Sequence, residues 1–317
     1  MPDITNPAAP IASHAALQGL TVLQRGWLSS NNVLLHGQGQ GAVLVDSSHL
    51  LHAPQTLALV RQALGGEALA GIVNTHLHSD HCGGNATLQA ALGGRITVPI
   101  RAFDAARAWD EDRLSYRHTG QRCQRFHPDA ALAPGQSLSA GGRQWQALAA
   151  PGHDPDSLLL FDARHGVLVS ADALWENGFG VVFPELEGEP GFDDVAAVLD
   201  HIESLGATWV IPGHGAPFRD VAGALHRARQ RLAAFRADPA RHRRHGLKVL
   251  VKYHLMEEQQ QAWPDFLSWF SATPLCQAVW LQLGSPDGTP SAFAEHIVHE
   301  LVRGGALHWR EGWLFDA

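Results

Sequence analysis

Thr75-His76-Leu77-His78-Ser79-Asp80-His81 carries four metal-binding side chains within six residues, directly behind the apolar run Ala70-Gly71-Ile72-Val73-Asn74. The run reads as a buried strand, which places the cluster where a strand ends and a loop begins. Alternate residues of an extended segment share a face, so His76 and His78 can point the same way and grip one ion. The chain then turns, and Asp80 and His81 can reach a second point close by. Imidazole nitrogen combined with carboxylate oxygen suits zinc, and also iron or manganese.

The rest of the composition frames that cluster. A chain of 317 residues with 45% apolar and 17% charged side chains is globular, long enough for one large domain and a smaller one. The net charge of -8 gives no overall pull toward nucleic acid or an acidic membrane. Three cysteines, Cys82, Cys123 and Cys276, form no CxxC pair and leave an odd one, which points to a reducing compartment rather than a disulfide framework. Cys82 reads as a small residue packed under the ligand loop. The opening segment 1–18 is a flexible, Pro/Ala-rich N-terminus without a signal pattern, and no apolar run reaches the roughly 18 residues that span a bilayer. The expectation is a cytoplasmic protein acting on a small-molecule substrate, with no membrane association.

In chain order, 20–27, 32–36 and 41–45 read as strands, the last ending at Asp46. Asp46 can orient a metal-bound His as a hydrogen-bond acceptor or cap the next helix. A helix over 54–64 stops at Gly65-Gly66, the 72 strand and ligand loop follow, and Gly83-Gly84 allows tight backbone passage. A helix over 85–92 and a strand over 95–100 complete a β-α-β alternation and point to an α/β sheet. Further on, the pattern predicts a helix over 102–114, strands over 145–149, 158–161, 166–170 and 208–211, and a helix over 192–205.

His76-x-His78-x-Asp80-His81, after a strand and before Gly83-Gly84, resembles the signature of the metallo-β-lactamase superfamily. Members of that superfamily fold as a four-layer αββα sandwich with the metals at one edge between two sheets, and the resemblance implies further ligands in a fixed order. His153, in Pro151-Gly152-His153, is similar to the third His of the first site. Asp172, at a strand end, resembles the carboxylate that bridges both metals. His214, in Pro212-Gly213-His214-Gly215, is similar to the last ligand of the second site. On this resemblance His76, His78 and His153 hold one divalent ion and Asp80, His81 and His214 a second, with Asp172 between them.

The implied reaction is attack by a metal-bridging hydroxide on an ester, thioester or lactone, with Asp80 accepting the nucleophile's proton. His78 stands where similar di-iron flavoprotein reductases carry Glu, which argues against oxygen reduction. Asp172 stands where true metallo-β-lactamases generally have Cys or Ser, which argues against antibiotic hydrolysis. Asp154 follows His153 where glyoxalase II-like and lactonase-like members usually carry Thr or Ser, and with Asp156 it reads as a turn residue or as a carboxylate at the mouth. Rival readings are a phosphodiesterase or ribonuclease, a mononuclear iron sulfur dioxygenase using only His76, His153 and Asp172, and a nucleic-acid-binding regulator with a structural metal.

Two further stretches stand out. The loop after Asp172 is aromatic, and Trp175, Phe179 and Phe183 suit pocket walls for an apolar group, core filling or a homodimer contact. Between 217 and 252 there are ten Arg or Lys against Asp220 and Asp238 alone. This segment reads as a helix over 221–237, a boundary at Arg241–His245, and helices over 247–260, 264–273 and 291–303 before a hairpin over 304–315. Three helices and a hairpin resemble the winged-helix-like module that follows the catalytic domain in some superfamily members, including the lactamase-beta-2-like endoribonucleases. The basic helix either binds nucleic acid, greets anionic substrate groups or is merely solvated. The expected organisation is a flexible 1–18, a catalytic domain over 19–220 and a helical, winged-helix-like domain over 221–317.

Overall fold

The structure, a computed structural model, describes residues 14–283 and 288–317. Most of the expected flexible start lies outside them, but 15–17 forms one 3-10 turn whose Leu17 is buried between the sheets. The first sheet runs β1 (Leu20–Leu23), β2 (Asn32–Leu35), β3 (Ala42–Val45), β4 (Leu69–Val73), β5 (Arg95–Pro99) and β6 (Ala130–Leu132) in that spatial order. Its first three strands are antiparallel and the rest parallel. Between these strands lie α1 (Ala53–Leu64), α2 (Ser79–Cys82), α3 (Asn85–Leu92), α4 (Ile100–Ala108) and α5 (Tyr116–Thr119).

The second sheet comprises β7 (Ser137–Ala140), β8 (Arg143–Ala149), β9 (Leu158–Asp162), β10 (Val167–Ala171) and β11 (Trp209–Pro212). β9 and β10 form an antiparallel hairpin, and β11 lies parallel to β10 after a crossover through α6 (Phe183–Glu187) and α7 (Phe192–Ser204). Period-two alternation sorts the buried strands into layers. Val33 and Leu35 of β2, Leu158 and Leu160 of β9, and Val167 and Val169 of β10 meet Trp145 in the core between the sheets. Leu34 faces the helices α1, α3 and α4, while Leu159, Phe161 and Leu168 face α7 and α8 (Val221–Ala237). The result is the αββα sandwich.

The C-terminal part adds α9 (Pro239–Glu258), β12 (Gln260–Ala262), α10 (Trp263–Ala272), α11 (Pro274–Leu283), α12 (Pro290–Arg303) and the hairpin β13 (Leu307–Arg310) and β14 (Trp313–Asp316). Several details differ from the sequence reading. Arg241–His245 is no break: Asp238 caps α9 by accepting from Arg241 N at 3.1 Å, and the helix continues through the basic run with His242 buried. Ala224, Leu225, Ala228, Leu232 and Phe235 of α8 pack in the outer core of the second sheet. The helix expected to 114 ends at Ala108, where Trp109 turns left-handed with φ of 59°. Among the described residues no helix is long and apolar enough to cross a membrane.

Trp145 is fully buried between the sheets and donates its indole N–H to Ala140 O at 3.3 Å. Trp145→Ala should cost about 3–5 kcal/mol. Thermal unfolding that starts no earlier than in the wild type would show that the inter-sheet core does not carry the fold.

Candidate metal centre

Both sheets deliver their site residues at strand ends. β4 stops at Val73, Asn74 N makes a last bond to Thr97 O at 2.9 Å, and residues 75–78 leave the ladder before α2 begins. Asp46 follows β3 with φ of 57°, and Ala171 precedes Asp172 with φ of 45°. Two non-glycine residues held left-handed beside one site are strained positions maintained by their surroundings. Gly213 is required for close approach, since a Cβ there would collide with Asp172 Oδ1.

The structure brings all seven expected residues together in two buried groups, His76-His78-His153 and Asp80-His81-Asp172-His214. Within each group the donor atoms lie within 4.8 Å of one another. His78 Nδ1 sits 3.1 Å from His76 Nε2 and 2.9 Å from His153 Nε2. His214 Nε2 is 3.0 Å from Asp80 Oδ2. Asp172 spans the groups: its Oδ2 is 3.4 Å from His153 Nε2, while its Oδ1 is 3.5 Å from His81 Nε2 and 3.8 Å from His214 Nε2.

The hydrogen-bond partners decide which nitrogens carry lone pairs. His153 Nδ1 donates to Val181 O at 2.6 Å, so its Nε2 faces the cluster unprotonated. Thr75 gives its hydroxyl proton to Asp46 Oδ2 at 2.8 Å, leaving its oxygen to accept from His76 Nδ1 at 3.2 Å. His81 Nδ1 donates to Asp46 Oδ2 at 2.8 Å, and its buried Nε2 has no hydrogen-bond partner. Asp154 Oδ2 stands 3.6 Å from His78 Nε2 and favours the proton on that nitrogen. Three imidazole lone pairs therefore converge in one group, and in the other two carboxylates face the ring nitrogens of His81 and His214. Such donor sets fit divalent cations.

Electrostatics agree. Burial pushes His76 well below its usual pKa and takes His78 and His153 to about 4, so all three are neutral donors at neutral pH. Burial also disfavours charge on His81, but Asp80, Asp172 and Asp46 outweigh it and raise its pKa well above the usual value. Burial likewise opposes ionisation of Asp80 and Asp172, yet neighbouring histidines, His81 foremost, hold both below the ordinary carboxylate range. The ionised carboxylates outnumber the raised histidine, so a cation that replaces the His81 proton is stabilised there.

Around the site, Asp46 plays the orienting part rather than the helix-capping one: its Oδ1 accepts from Thr75 N at 2.8 Å and its Oδ2 holds His81. Trp175 lines the cavity and donates its indole N–H to Asp172 Oδ1 at 3.2 Å. Phe183 packs on His78, with ring centroids 4.8 Å apart. Phe179 is almost wholly buried in the outer core and borders the cavity. Cys82 is buried under the ligand loop, 3.4 Å from Leu77 O and 3.2 Å from Tyr116 OH.

Sequence reasoning missed Trp27, 64% exposed, which stacks on His214 at 5.0 Å. It also missed Thr75 as a relay and Asp154 as the partner of His78, although Asp154 directly follows a ligand. A cavity of about 670 Å³ opens beside the two groups, walled by Trp27, Trp175, Phe183, Val249 and Met256.

A four-layer αββα fold with two adjoining His/Asp clusters at one edge defines a class of metal-binding proteins. The profile of the metallo-beta-lactamase superfamily matches residues 25–214, more than half of the chain, and the chain belongs to that superfamily. A hydroxyacylglutathione hydrolase of Acidiphilium cryptum is 32% identical over 175 residues, covering 55% of this chain and 60% of that protein. The Beta-lactamase-like protein 2 homolog of Caenorhabditis elegans is 27% identical, covering 59% of this chain and 57% of that one. The chain thus matches about three fifths of the length of these relatives. A metallo-beta-lactamase family protein of Thermus thermophilus superposes over 96% of this chain and all of its own, with a TM-score of 0.56 at 25% identity.

Asp46→Asn removes a charge from the carboxylate that holds His81 and Thr75. Metal affinity measured by competition with a chromophoric chelator should fall about 10–100-fold. Unchanged affinity would remove Asp46 from the centre.

Proposed function

We propose that the protein is a metal-dependent hydrolase that uses two divalent ions, with zinc the best match to the donors, to cleave an ester, thioester or lactone. The observation that carries this reading is the division of Asp172, one oxygen toward each donor group, beside an open and largely apolar cavity. His76, His78 and His153 would hold one ion and Asp80, His81 and His214 the other. When bound, such a pair supplies an acidified water and polarises the scissile carbonyl.

The chain's own residues do the remaining work. Asp80 is the acceptor for the nucleophile's proton, within the same cluster as Asp172. Trp175 fixes Asp172 through its indole N–H. Trp27, Phe183 and Val249 form an apolar wall that positions an acyl group and limits water. The hydroxyacylglutathione hydrolases among the relatives make thioesters the first substrates to try.

The rivals fare worse. A single-iron dioxygenase would use His76, His153 and Asp172 and leave no role for Asp80, His214 and the unpartnered Nε2 of His81. A nucleic-acid groove needs unneutralised cations, but most of those over 217–252 are paired: Arg229 with Asp200 and Glu203, Arg227 with Asp220, Arg236 with Asp193, Arg244 and Lys248 with Glu300, and Lys252 with Asp316. Phosphodiester cleavage remains the runner-up within hydrolysis. For domain organisation, we propose that the catalytic unit extends through α8 and that the helical unit, winged-helix-like in its ending on helices and a hairpin, starts with α9.

Zinc-loaded protein should hydrolyse members of a panel of thioesters, esters and lactones, lose the activity to a chelator and regain it with metal. Asp80→Ala and Asp172→Ala should each reduce kcat/KM by about 10³-fold or more while keeping the fold, the scale of losing a group needed at the reacting centre. Full turnover in either variant discards the mechanism.

A further inference from the structure

The cavity has a cation that the hydrolytic centre does not use. Arg231, on α8, lines it half-buried. The other basic side chains on this wall are neutralised: Lys248 lies 3.2 Å from Glu300 Oε2, and Lys252 is held by Asp316 and by the carbonyls of Ala306 and Ala317. Glu300, the carboxylate lining the same end, is already engaged by Arg244, Lys248 and His296. Among the described residues no carboxylate lies within ion-pair distance of Arg231. Its one hydrogen-bond partner there is His245 Nε2, at 2.8 Å from Nη2.

The guanidinium is nonetheless held in place. Its Cζ sits 5.5 Å from the Phe179 ring centroid and 5.3 Å from that of Phe235. Nη1 lies against Gly178, where a Cβ would come within 2.8 Å. Gly178 O accepts from Trp175 N at 2.7 Å, and the Trp175 indole reaches Asp172. One turn therefore separates this cation from the carboxylate between the two donor groups. Burial lowers the pKa of Arg231 with no acid to compensate, and burial takes His245 to about 4, leaving it a neutral acceptor. A desolvated, oriented and unpaired guanidinium is costly unless something pairs with it.

We propose that Arg231 is the specificity-determining anchor for a carboxylate carried by the substrate, so that the preferred substrate is an anionic acyl compound with an apolar body. A planar guanidinium matches one carboxylate with parallel N–H donors. A phosphate dianion would call on further free cations, and Lys248 and Lys252 are occupied. The anchor's role in turnover rests on the hydrolase reading; its role in binding does not.

Two measurements on the zinc-loaded full chain separate these. Calorimetric titration compares 3-phenylpropanoate with its uncharged amide. Wild type should bind the carboxylate more tightly, Arg231→Gln should weaken it about 10–100-fold without changing amide binding, and Arg231→Lys should restore part of the loss. Equal binding of carboxylate and amide by the wild type, or carboxylate binding unchanged in Arg231→Gln, overturns the proposal. So does a parallel loss of amide binding, which marks a merely structural role. In kinetics, Arg231→Gln should raise KM for the mono-p-nitrophenyl ester of glutarate about tenfold or more, with kcat and the hydrolysis of p-nitrophenyl butyrate held. If wild type cleaves neither ester, the hydrolase reading fails for esters while the calorimetry still decides Arg231.

Discussion

Seven side chains turn potential ligand atoms toward one another in a buried space, and positive charge at their centre stabilises that crowding. Much of the surrounding structure keeps those atoms aimed inward. Thr75 and the Val181 carbonyl take the Nδ1 protons of His76 and His153 and point their lone pairs into the cluster, while Asp46 takes the Nδ1 proton of His81 and aims its Nε2 inward. The two sheets share the task, since β3 and β4 present Asp46 and the 76–81 loop while β10 and β11 present Asp172 and His214. A shift of one sheet against the other would part Asp172 from His81, which is why the inter-sheet core around Trp145 matters to chemistry as well as to stability.

The C-terminal helices complete the cavity rather than stand apart from it. α9 contributes Val249, Tyr253 and Met256 to the lining, and Tyr253 OH lies 2.8 Å from Ser79 Oγ in the ligand helix α2. A buried contact between His49 and Glu257, at 2.8 Å, ties α9 to the segment following β3. The positive charge of residues 217–252 is consumed largely in pairs with acids, which explains a basic stretch in a chain of net negative charge. Arg231 is set apart by its burial against two phenylalanine rings, where no acid reaches it.

The sequence alone determined the β-α-β succession around the ligand loop, the helices over 85–92 and 221–237, and the chemistry of His76, His78, Asp80 and His81. Each of these is local: a period of two or 3.6, a glycine stop, or four donors in six residues. His153, Asp172 and His214 are each a single residue in a turn and could be singled out only through resemblance to a family. The basic run at 241–245 resembled a boundary because polarity and glycine mimic a linker, yet Asp238 and Pro239 start a helix that carries straight through it.

Only the tertiary structure decided that Asp46 serves His81, that Trp27 covers His214, that α8 belongs to the second sheet's outer core, and that Arg231 has no acid beside it. α11 and β12 fall in the same group: nearly every residue of α11 is apolar, which hides its period, and β12 is three residues whose pairing with β14 is long-range. The physical reason is common to all of them. Whether a side chain is paired, buried or exposed depends on atoms brought from distant parts of the chain, and no local pattern encodes that distance.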